Sequence, residues 1–262
     1  MPVLSVSAFS NSSLEERKKH IHTIIVENEK DQCKKLAKLF SQEELEYALK
    51  TSTFKGDAVL FDFFAKKAKP NPVVLQFLWQ QAALKGHQDI IELLLPKRKQ
   101  ASIVDAFGYA LSQKQLSLSN WLFDQIVLTQ ESEEVRVLVK ILSASTELDK
   151  LDRVLGFASR EQIFQGLVVA SATKNKDTAE VLMKHPFALT SHLPLANAIR
   201  LQDGEMLDVL LPHFDVPQTL NDLKKKGYPE SIEWFQSRVV QQDLQQSTPS
   251  LSSQSKSPKK RF

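Results

Sequence analysis

The sequence predicts an all-α solenoid of about seven stacked helical hairpins, preceded by a helical cap and followed by a disordered tail. Three observations predict it. Leu, Ala, Lys, Gln and Glu are abundant and favour helix, and 7 glycines in 262 residues are too few for a chain rich in β-turns or phosphate loops. The stretch "AALKGHQDIIELLL", Ala82 to Leu95, joins two small residues, a Gly-His turn and an aliphatic run at helical spacing, and weaker versions of it return at intervals of roughly 25 to 33 residues. Pro70, Pro72, Pro96, Pro186, Pro212 and Pro217 fall at the ends of those repeats, where helices should stop.

Taken in order, residues 1–12 are expected to be a flexible N-terminus, with no basic start or long apolar core of a secretory signal. Residues 13–45 read as a helical cap with two capping boxes, Ser13 with Glu16 and Ser41 with Glu44. Residues 46–240 hold the array. Its copies are "STFKGDAVLFDFF" (52–64), the template itself, "ALSQKQLSLSNWLF" (110–123), "SASTELDKLDRVL" (143–155), "ASATKNKDTAEVLM" (170–183), "AIRLQDGEMLDVLL" (198–211) and "LKKKGYPESIEWF" (223–235). The turn position is Gly56, Gly86 and Gly227 in three copies, and Lys114, Glu147, Lys174 and Gln202 in the others. Each apolar stripe is too small to fold alone, and stacking neighbours buries the stripes as one continuous core. Small residues such as Ala82, Ala110, Ala170 and Ala198 let first helices approach closely.

Residues 241–262 are expected to be a disordered, basic, Ser-rich tail. The formal charge of +3 belongs to this tail: without Lys256, Lys259, Lys260 and Arg261, the remaining 30 basic residues face 31 acidic ones. Specific nucleic-acid binding by the body is therefore not expected, since it needs a net basic face. The tail is left with weak contact to anionic surfaces. No apolar run approaches the ~20 residues of a membrane span. The one cysteine, Cys33, permits no intrachain disulfide and suits a reducing compartment, with Cys33 as a half-buried helix residue.

No motif for catalysis, a cofactor or a metal appears. His20 and His22 lie two apart, so on a helix they point in different directions and read as surface or cap residues. Asp203, Glu205 and Asp208 read as an acidic turn and a solvated face rather than an acid/base pair. Two basic clusters, Lys66, Lys67 and Lys69, then Lys97, Arg98 and Lys99, end successive second helices. There they offset the helix dipole and, by stacking, form a candidate basic rim.

"AALKGHQDIIELLL" resembles the core of an ankyrin repeat. The family's Thr-Pro-Leu-His opening is replaced by "FLWQ" at 77–80, and most copies are shorter than the family's length. The resemblance implies helical hairpins stacked into a curved, non-catalytic protein-binding surface, with the inter-unit β-hairpin lost. Trp79, Gln80, Tyr109 and Trp121 are the candidate partner-binding residues on it, with buried packing the alternative for each of the three aromatics. The implied function is a scaffold or adaptor in the cytoplasm. The alternative is a secreted bacterial effector, translocated into a host cell, whose tail is the signal and whose array engages a host protein.

Overall fold

The computed structural model describes residues 6–187 and 191–247. Within them there are seventeen α-helices, two 3-10 turns and no strand. None of these helices is long and apolar enough to cross a membrane. The tail expected to be disordered lies outside the described residues from 248 onward.

The chain divides into two compact units, 1–127 and 128–262. In the first, α1 (Val6–Asn11) precedes four helix pairs: α2 (Leu14–Val26) with α3 (Lys30–Leu36), α4 (Gln42–Lys55) with α5 (Ala58–Ala68), α6 (Pro72–Lys85) with α7 (Gln88–Leu94), and α8 (Gln100–Ser112) with α9 (Leu116–Asp124). In the second, α10 (Glu133–Ser143) pairs with α11 (Leu148–Leu155), α12 (Arg160–Ala172) with α13 (Lys176–Met183), α14 (Leu193–Arg200) with α15 (Gly204–Leu210), and α16 (Val216–Lys225) with α17 (Pro229–Ser247). Within each unit the first helix of a pair packs on the first helix of the next. Two boundaries differ from the sequence reading: residues 6–11 are helical within the segment expected to be flexible, and α17 runs seven residues past 240.

One turn geometry recurs. Asn28, Gly56, Gly86, Lys114, Lys174, Gln202 and Gly227 all adopt positive φ, between 53° and 80°. In each case the following N–H donates to the carbonyl five residues back: Glu29 to Ile24, Asp57 to Ser52, His87 to Ala82, Gln115 to Ala110, Asn175 to Ala170, Asp203 to Ala198, and Tyr228 to Leu223. This is a Schellman closure, which satisfies carbonyls that a helix end leaves orphaned. The acceptor residue is buried in all seven. Where it is Ser or Ala the facing helix can approach closely.

Glu147 is the exception. Its φ is −85°, and the α10–α11 turn is closed instead by Ser145, whose hydroxyl donates to the Leu142 carbonyl and accepts from the Glu147 N–H. The α2–α3 pair, read from sequence as a cap unlike the repeats, carries the same turn at Asn28.

Successive turns are tied by polar side chains. Lys55 Nζ donates to the Ile25 carbonyl at 2.5 Å, His87 Nε2 lies 3.4 Å from the Phe54 carbonyl, and Gln115 donates to the Leu84 carbonyl at 2.7 Å. In the second unit Asn175 donates to the Ser145 carbonyl at 2.5 Å. Gly86 therefore has two constraints: φ of +78°, and a Gln115 amide oxygen 2.8 Å from where a Cβ would stand. We expect Gly86→Val to destabilise by about 1–3 kcal/mol. Lys174 takes the same conformation at φ 57° with a Cβ already in place, and its exposed Nζ donates to the Leu201 carbonyl at 3.0 Å, so Lys174→Gly, which relieves the first and loses the second, should change stability by less than about 1 kcal/mol. Urea titrations of both variants check this. Equal, small effects would contradict the shared turn.

Both expected capping boxes are present, and Ser159 with Gln162 adds a third. Pro72 and Pro217, expected at helix ends, instead sit with Pro194 and Pro229 in the first turns of helices, where their missing N–H costs nothing. Glu44 is fully buried at the start of α4, and Arg17 of α2 reaches it at 2.9 Å.

Candidate protein-interaction face

Helix α6 buries Leu78, Trp79, Ala82 and Ala83. Its other side carries Val73, Phe77, Gln80 and Leu84, separated by helical steps of three or four residues. On α4, Tyr47, Lys50 and Phe54 hold the equivalent places, nine, six and two residues before the turn glycine. Stacking α4 on α6 brings Phe54 and Phe77 together edge to face, with ring centroids 6.1 Å apart. Phe54 is nevertheless 43% exposed and Phe77 38% exposed. Lys85 places its ammonium 5.7 Å from the Phe54 ring centre. The result is an aromatic pair with a cationic edge, open to water on the first-helix side of the N-terminal unit.

The residues proposed from sequence fall differently. Gln80 and Tyr109 are half-buried on α6 and α8, and Trp121 is half-buried on α9. Trp79 is fully buried, and this removes it as a contact residue. Its indole N–H donates to the Ser102 carbonyl at 2.9 Å, and the Arg98 guanidinium lies 5.3 Å from the ring centre. Phe54 and Phe77 were missed because neither belongs to the repeated apolar stripe. The available signal was an aromatic at two non-core positions of neighbouring copies.

The basic rim is also redrawn. Lys66, Lys67, Lys69 and Lys99 are exposed, while Lys97's side chain lies outside the described residues. Arg98 turns inward: besides Trp79 it donates to Gln76 Oε1 at 3.1 Å, and desolvation lowers its guanidinium pKa. A cation half-removed from water against indole stabilises packing and offers no rim.

His20 is buried rather than at the surface, its ring 6.0 Å from that of Phe9, and desolvation lowers its pKa; His22 is exposed. Cys33 is fully buried, not half-buried, and desolvation pushes its thiol up to about 12, far from a reactive thiolate. Asp203 caps α15 by accepting from the Met206 N–H, Glu205 lies 3.6 Å from Lys176, and Asp208 lies 2.9 Å from Arg238. Each of the three acids thus has a partner of its own.

No family model, curated protein or solved structure matches this chain.

Proposed function

We propose that the chain is a non-catalytic protein-interaction module, an ankyrin-like array of stacked helix pairs that holds a protein partner on the exposed side of its first helices. The observation that carries this reading is the exposed Phe54–Phe77 pair beside Lys85. Aromatic side chains bury large area at small entropic cost, and contact residues that dominate binding energy are enriched in them. An aromatic pair left half in water at a helix–helix junction is apolar surface that packing has not used. The recurring Schellman turn and the stacking of first helices within each unit support the array. The single buried thiol fits a reducing, cytoplasmic setting.

The test compares the immobilised wild-type chain with Phe54→Ser/Phe77→Ser in capture from a cell lysate. Both positions are partly exposed, so the melting midpoint should change little. The reading expects a protein retained by the wild type and lost from the variant. Identical retention by two equally folded proteins would refute it.

A further inference from the structure

A groove of about 420 Å³ lies between the end of α5, the start of α6 and the end of α7 in the N-terminal unit. Leu75 and Leu93, over the buried Phe61, supply its apolar lining, and Asp62, Lys66 and Lys69 its polar rim. It shares no residue with the Phe54–Phe77 face. We propose that this groove is a docking site for an acidic peptide segment with one bulky apolar anchor residue.

Two features of the groove act together. The first is apolar surface in water. Ile90, Ile91 and Leu94 of α7 are buried, whereas Leu93 is 43% exposed at the groove. The second is charge. Among the described residues Asp62 is the one carboxylate lining the groove, and Lys66 Nζ lies 2.5 Å from it. Lys69 then stands at the rim with its charge unopposed by a lining acid, and exposed Lys67 lies alongside, its ammonium 5.3 Å from the Phe63 ring centre.

Dipole capping accounts for cations in the last turn of α5. It does not account for an exposed leucine of α7 lining the same groove as those lysines. The second basic cluster provides a contrast within the same unit. One repeat later Arg98 is folded onto Trp79, which consumes the cation in packing.

The occupant follows from the same features. The volume lies within the range of small-ligand sites and accepts an anchoring side chain with its flanking backbone. Net positive charge at the rim rejects basic segments and favours Asp or Glu beside the anchor, with charge setting selectivity and the apolar contact holding the segment.

The experiment selects a random displayed library of peptides, about twelve residues long, against the full-length chain, then measures the affinity of one enriched synthetic peptide. Sequences with Leu, Ile or Phe flanked by Asp or Glu are expected. Affinity should fall about tenfold or more in Lys66→Ala/Lys69→Ala and separately in Leu93→Ser, weaken as salt rises, and persist in Phe54→Ser/Phe77→Ser. Circular dichroism melting confirms that each variant folds. Leu93→Ser keeps every lysine, so its loss of binding distinguishes a built groove from loose attraction to positive charge. Three results would overturn the proposal: no enrichment of acidic-apolar peptides, binding unchanged in both groove variants, or capture by phosphatidylserine vesicles through the same lysines with no peptide selected. Failure of the Phe54–Phe77 reading leaves all of these results interpretable, because the two sites share no side chain.

Discussion

Replacing Trp79 by alanine is expected to destabilise the N-terminal unit by about 3–5 kcal/mol. The indole is the largest fully buried side chain among the described residues. Its removal leaves a cavity between α6 and α8, which pack directly on one another. It also leaves the Ser102 carbonyl without its indole donor and the Arg98 guanidinium without its aromatic face. Loss of that hydrogen bond and of the cation's aromatic face each add to the cavity cost. Trp121, half-buried on α9, should cost clearly less when changed to alanine. Urea unfolding of the two variants makes the comparison. Equal losses would mean that the two tryptophans are equally engaged and that the burial described for Trp79 is wrong.

Leu210→Ala is expected to cost about 2–5 kcal/mol. Leu210 is fully buried at the end of α15, which packs on α13 and α14. Leu94 ends α7 in the same way, and both helices continue into a 3-10 turn carrying a proline, Pro96 and Pro212. In an array of stacked pairs, contacts run mainly between neighbours, so damage should remain local. Hydrogen exchange on Leu210→Ala should show faster exchange in α13 to α16, with α4 to α8 unchanged. Uniform deprotection of both units would contradict nearest-neighbour stacking.

The turns were legible in the sequence to the extent that backbone sterics fixed them. Gly56, Gly86 and Gly227 were readable because glycine enters the left-handed region without a Cβ penalty. Lys114, Lys174 and Gln202 were then located by register alone. Asn28 was missed because the two residues in the small-residue places of its copy are Ile24 and Ile25. Glu147 was misplaced because a serine hydroxyl closes that turn, a side-chain solution that glycine spacing does not reveal.

The site was less legible. Phe54 and Phe77 lie 23 positions apart on different helices, and only the stacking of α4 on α6 makes them one surface. The sequence leaves Trp79 between contact and burial because periodicity gives a helix face but not what covers it. Here Arg98 and Ser102 close over it from the next pair. The basic rim divided for the same reason: Lys66 and Lys69 line a groove, whereas Arg98, in an equivalent stretch, found an indole to cover.

Hydroxyl-radical footprinting of the full-length chain, free and bound to a partner captured by the wild type, tests the central claim most directly. Oxidation of Phe54 and Phe77 in the free chain should be substantial, as their exposure requires, and should fall several-fold in the complex, while buried Phe61 and Phe107 stay unreactive in both. A complex in which Phe54 and Phe77 are oxidised as fast as in the free chain, with protection elsewhere, would contradict the account.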